Sequence, residues 1–122
     1  MRAEDRIIRV GALALDIAGF SATVDGRDLP LTYGEFLIME ALIRNPYQVL
    51  NREQLVELLR QGSRGLGGSS PELRSVDTHI ARLRAKLRAL GYDCIRTMRY
   101  VGYRFVPPNV GSPEPGKASE AS

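Results

Sequence analysis

Arginine is the residue whose spacing in this 122-residue chain could do chemistry. Residues 71–106 hold eight Lys/Arg against three acids, a net of +5. Residues 1–70 hold eight against nine, and the last sixteen contribute −1. The modest overall +3 thus conceals a basic C-terminal third, which favours a polyanionic partner. Within it Arg74, Arg82, Arg84 and Arg88 share one helical run, and Arg96, Arg99 and Arg104 follow in a short alternating segment. Guanidinium groups bond phosphate oxygens and the paired acceptors of a guanine edge. Other chemistry is poorly supplied. His79 and Cys94 are each alone, which excludes His-pair and cysteine zinc sites and an intrachain disulfide. With no convergent carboxylate pair either, an enzyme is the weakest reading, and no metal or cofactor is expected.

The element that must position the first arginines is a helix from Ser70-Pro71, a cap and an N1 proline, to Leu90, stopped by Gly91. At about 100° per residue, Ile80, Leu83, Leu87 and Leu90 fall within about 40° of Val76, a core stripe that Leu73 extends. The opposite face carries Arg74, Thr78, Ala81 and Ala85, with Arg82, Arg84 and Arg88 along its margins. Small side chains between long cations would let the helix backbone sit deep in the major groove of DNA. Taken alone, the same face reads equally well as a solvated surface. The following segments, Cys94–Met98 and Gly102–Val106, read as a hairpin with Arg99 beside its turn. A basic helix followed by an arginine-tipped hairpin is what a winged helix-turn-helix needs, one element for each groove.

The rest of the chain supplies a scaffold. Hydrophobic residues at 43% and charged residues at 25% are globular composition, enough for one domain with a core of its own. No apolar run approaches a membrane span, and the N-terminal MRAEDRIIRV has no signal-type apolar region, so a cytoplasmic location is expected. Ile8–Val10, Leu13–Asp16 and Ser21–Val24 read as strands broken by Gly11, Gly19 and Asp25-Gly26, with Leu29-Pro30-Leu31 as a last extended piece. Thr32 and Glu35 form a capping-box pattern ahead of Phe36, Met39, Ala41, Leu42 and Ile43, and Asn45-Pro46 ends that helix. A second helix starts at Asn51, with Gln54 in the box position and Leu55, Val56, Leu58 and Leu59 apolar. Tyr47–Leu50 reads as a connection and Gly62–Ser69 as a flexible loop without the Lys-Ser/Thr of a phosphate-binding loop. The domain is expected to span 1–106, with its core at about 8–106 and a disordered tail at 107–122. Cys94 reads as a small buried apolar residue.

The segments LTYGEF (31–36), Asn45-Pro46, VLNREQL (49–55), RSVDTHIARLRAKL (74–87) and IRTMRYVGYRF (95–105) together resemble the OmpR/PhoB-type DNA-binding domain of bacterial two-component response regulators, in order and spacing, from about Ile8 to Val106. The resemblance implies an α+β winged helix-turn-helix: an N-terminal four-stranded antiparallel sheet, three helices and a C-terminal hairpin wing. It implies sequence-specific binding to double-stranded promoter DNA for transcription regulation, as head-to-tail dimers on direct repeats, with RNA polymerase as a further partner. Carried over by position, Thr78 and Arg82 match base-contacting residues, and Arg99 matches the wing residue that enters the minor groove. Arg74, His79, Arg84, Thr97 and Tyr103 match phosphate contacts, and Asp77 matches a residue that orients neighbouring arginines. Three positions depart from the pattern. Leu59-Arg60-Gln61 stands where the family often has a tryptophan, the loop after it is longer and glycine-rich, and Tyr100 replaces the usual glycine of the wing turn. A winged helix used for protein–protein contact is the alternative, disfavoured by Arg82 and Arg99 together. No phospho-acceptor receiver domain fits ahead of the first helix.

Overall fold

The computed structural model describes residues 6–64 and 76–108. The chain begins with four antiparallel strands in sequential order, β1 (Ile7–Val10), β2 (Leu13–Asp16), β3 (Ser21–Val24) and β4 (Arg27–Asp28). Alternation sets the sheet's two faces: Leu13 and Leu15 on β2 pair with Val24 and Ala22 on β3, and all four are buried. Asp25 and Gly26 both have positive φ, 54° and 80°, the geometry of the hairpin turn that the Asp-Gly pair favours. The fourth strand lies earlier than the extended piece read at Leu29–Leu31. Pro30 has no N–H with which to continue a ladder. Leu29 makes one last bond, to the Ala22 carbonyl at 2.9 Å, and turns its side chain into the core.

Helix α1 (Tyr33–Arg44) starts at the capping box read from the sequence. The Glu35 N–H donates to Thr32 Oγ1 at 3.2 Å, and the Thr32 N–H donates to Glu35 Oε1 at 3.0 Å. The helix is buried on more than one stripe, Phe36, Ile38, Met39, Leu42 and Ile43 all lying inside, while Ala41 is only half-buried. It is the central element, packed against both later helices and touching the C-terminal sheet.

Leu50–Asn51, inside the stretch read as a connection, forms a two-residue strand, β5, ahead of helix α2 (Arg52–Arg64). Asn51 and Gln54 bond each other's backbone N–H at 2.8 and 2.7 Å, a second capping box. Helix α2 runs through Gly62, so the first residues assigned to the glycine-rich loop are its last turn. A Cβ on Gly62 would meet the Leu37 side chain, so this glycine lets α1 come close. Residues 65–75, which hold the rest of that loop and the start read for the third helix, lie outside the described residues, as does the tail from 109.

Helix α3 (Val76–Ala89) buries Val76, His79, Ile80, Leu83 and Leu87. Its end is a Schellman motif: Gly91 has φ 79°, its N–H bonds the Arg88 carbonyl, and the Tyr92 N–H bonds the Leu87 carbonyl. Strands β6 (Ile95–Met98) and β7 (Gly102–Phe105) form the hairpin, and β7 sits between β6 and β5. The N-terminal sheet is tied to this half at two points. The Tyr92 hydroxyl donates to the Val10 carbonyl at 2.6 Å, and Arg27 donates to the Leu90 carbonyl at 3.0 Å, at the negative end of α3. Cys94 is fully buried, and burial pushes its thiol up to about 12.

Candidate nucleic-acid interface

Turning the Val76–Leu87 stripe into the core leaves Asp77, Thr78, Ala81, Arg82 and Ala85 exposed on the outer face of α3. Thr78 and Arg82, four residues apart, are neighbours on that face, with Ala81 and Ala85 keeping the space beside them low. Among the described residues Arg82 has no ion-pair partner, so its fork of donors faces solvent.

Arg84 lies at the margin and is anchored. Its Nη2 donates to Thr97 Oγ1 on β6 at 2.8 Å, while its Nε is buried with no partner among the described residues. This bond joins the helix to the wing and leaves the Thr97 hydroxyl hydrogen free to donate outward. Arg84 and Thr97, matched to phosphate contacts at quite separate points of the sequence, are therefore one unit in space. Arg99 projects from the exposed turn of the wing, its guanidinium carbon 5.7 Å from the centre of the Tyr100 ring.

Two residues matched to phosphate contacts are buried. His79 is buried, and both ring nitrogens are covered with no partner among the described residues. The ring packs on Gly34, where any Cβ would come within 2.8 Å of it. His79 thus packs between α3 and the start of α1. Tyr103 is buried on β7, and its hydroxyl donates to Asp77 Oδ1 at 2.5 Å, which commits its one proton inside the protein. Arg74 lies outside the described residues.

Asp77 does orient an arginine, but it is Arg52 at the start of α2 rather than one on α3. Arg52 bonds both carboxylate oxygens, at 3.2 and 3.0 Å. The two-pronged bond from Arg52 and the Tyr103 hydroxyl together hold the Asp77 carboxyl below its ordinary range. The shift implies stability that is present above the unfolded value of about 3.9 and is lost as the pH falls through the lowered folded value. Solvent screens so exposed a pair, so the contribution is small. In urea unfolding, the gap between wild type and Asp77→Asn should be present at pH 7 and close as the pH drops below about 4. A gap that widens in acid would refute the assignment.

Sequence reasoning missed one supporting pair altogether. Glu35, 1% exposed, accepts a bond of 2.6 Å from Lys86 Nζ. Lys86 is therefore a strut between α3 and the first turn of α1, not part of the outward basic face. Its only sequence signal was its place inside the arginine run.

The family model described as "Transcriptional regulatory protein, C terminal" matches residues 26–105. The transcriptional regulatory protein AfsQ1 of Streptomyces coelicolor is 40% identical over 100 residues, 80% of this chain and 42% of that protein. The transcriptional regulatory protein CreB of Escherichia coli is 35% identical over 99 residues, 80% of this chain and 41% of its own length. The chain thus spans less than half the length of these relatives. Among solved structures, the Klebsiella pneumoniae RstA DNA-binding domain in complex with the RstA box has a TM-score of 0.66 and 30% identity, covering 83% of this chain and 97% of that one. The DNA-binding domain of CpxR from E. coli has a TM-score of 0.61 and 34% identity over 82% and 95%. The fold and these matches define a class, the α+β winged-helix effector domains of OmpR/PhoB type. The chain belongs to the family of C-terminal domains of transcriptional regulatory proteins.

Proposed function

We propose that this domain regulates transcription by binding double-stranded DNA in a sequence-dependent way, with α3 in the major groove and the β6–β7 wing against the adjacent minor groove. The observation that carries this is the outer face of α3, where Thr78, Ala81, Arg82 and Ala85 are exposed together while the opposite stripe is buried. Arg82 and Thr78 read base edges, the Arg84–Thr97 pair grips the backbone beside them, and Arg99 reaches the minor groove. Tandem head-to-tail occupation of direct repeats follows the resemblance of the chain to its family. A regulatory domain ahead of this one, as in a response regulator, is part of the same reading.

Selection from a randomised duplex pool tests it. The wild-type domain should enrich a defined half-site, and Arg82→Ala should cost about 1–3 kcal/mol on that site while flattening preference at one or two base pairs. Arg84→Ala should weaken all sequences alike, because a phosphate grip carries no base information. If the wild type enriches no site, or if Arg82→Ala leaves the ranking of sites intact, the reading fails.

A further inference from the structure

We propose that Tyr100 is the positioning residue of the wing: its ring holds the Arg99 guanidinium ready for the minor groove, and so strengthens the domain's preference for sites flanked by a narrow one. The proposal rests on the DNA-binding reading above. The turn between β6 and β7 is closed by a bond of 2.8 Å from the Val101 N–H to the Met98 carbonyl, and Tyr100 occupies its third position with φ 68°. A positive φ there is cheap for glycine and costly for a residue with a Cβ. Tyr100 gains no packing in exchange, being 94% exposed. Strain held by a residue that supports no core points to a role outside the fold.

The second observation says what that role is. In an extended chain, successive side chains point to opposite faces, so Arg99 and Tyr100 would diverge. The left-handed backbone at Tyr100 breaks the alternation, and the Arg99 guanidinium carbon lies 5.7 Å from the ring centre, within cation–π range. The conformation that strains the turn is thus the one that makes the pair. An arginine already held on a ring loses less freedom on entering a groove than one swinging on a bare stem. The groove that draws a guanidinium most strongly is the narrow one of an A·T run, where negative potential is concentrated.

The test measures fluorescence polarisation on two labelled duplexes with the same core site, one flanked by an A-tract and one by G·C pairs, together with the melting temperature of each variant. Tyr100→Gly should melt at or above wild type, because glycine relieves the strain. It should nevertheless lose about two- to fivefold in affinity on the A-tract duplex and less on the other. Tyr100→Phe should match wild type, since the ring face and not the hydroxyl holds the cation. In an Arg99→Ala background, Tyr100→Gly should have no further effect. Equal affinity of Tyr100→Gly and wild type overturns the proposal. So does an equal loss with and without Arg99, which would make Tyr100 a DNA contact in its own right. A wild type that binds neither duplex overturns the DNA-binding reading and this one with it. Sound wild-type binding with an indifferent Tyr100→Gly removes this one alone.

Discussion

Gly102→Ala should lower the melting temperature by more than about 10 °C and abolish DNA binding, the largest effect expected of a single methyl group added at any described glycine. Gly102 opens β7 and faces Asn51 on β5, whose backbone crosses directly over it. A Cβ at that position would run into the Leu50 carbonyl oxygen and lie 2.7 Å from Asn51 Cα. Both obstacles are backbone, so no rotamer change relieves them. The two strands must part, and overpacking of this kind costs about 3 kcal/mol. For a domain of this size each kcal/mol moves the midpoint by roughly 4–8 °C. The damage spreads because Asn51 also caps α2, and Arg52, the next residue, holds Asp77 on α3. Gly26→Ala separates this collision from the general cost of replacing a glycine. Gly26 has a positive φ but nothing within 4 Å of a new Cβ, so that variant should lose only about 1–2 kcal/mol of backbone strain and keep its DNA affinity. Similar losses for the two variants would show that β5 does not press on β7.

What the sequence discloses about this fold is what is encoded locally. Thr32 with Glu35, Asn51 with Gln54, Asp25 with Gly26 and the Gly91 stop each lie within a few residues of their partners, and each stands in the structure where its pattern put it. The same holds for the core stripe of α3, because a helical period repeats often enough to be read. Strand β5 was invisible for the opposite reason. Two residues carry no period, and their partners Tyr103 and Gly102 lie some fifty positions away. The site divides along the same line. That Thr78 and Arg82 share an exposed face follows from helix geometry alone. The burial of His79 does not, because it depends on how closely Gly34 lets α1 approach. Likewise the sequence shows a hydroxyl at Tyr103 and a carboxylate at Asp77, but only the packing of β7 beside α3 joins them. Side-chain type predicted what each residue could bond, and tertiary contact decided which of those bonds is already spent inside the protein.

That distinction sets the expected salt dependence of DNA binding. Each phosphate neutralised by a protein cation contributes a slope of about −0.9 in log K against log salt, because a condensed counterion is released. The formal +5 of residues 71–106 overstates what is available, since several cations are already engaged. Lys86 is spent on Glu35, and Arg88 and Arg96 share Asp93 at 3.4 and 3.5 Å. Arg82, Arg84 and Arg99 pair with no acid among the described residues; Arg104 on the wing and Arg74, which lies outside the described residues, bring the basic set to five. Three to five effective contacts give a slope of about −2.7 to −4.5 per bound domain. Raising salt from about 50 to 200 mM should therefore weaken binding roughly 40- to 500-fold. Asp93→Asn supplies the internal check. It frees Arg88 and Arg96 from their shared carboxylate, so affinity at low salt should rise and the slope should steepen by up to about 2. Titrations at four or five salt concentrations, with the same duplex throughout, measure both quantities. A wild-type slope near zero would leave the arginines of α3 and the wing without a polyanion to meet. An Asp93→Asn slope equal to wild type would place Arg88 and Arg96 off the DNA, and confine the interface to Thr78, Arg82, the Arg84–Thr97 pair and the wing tip.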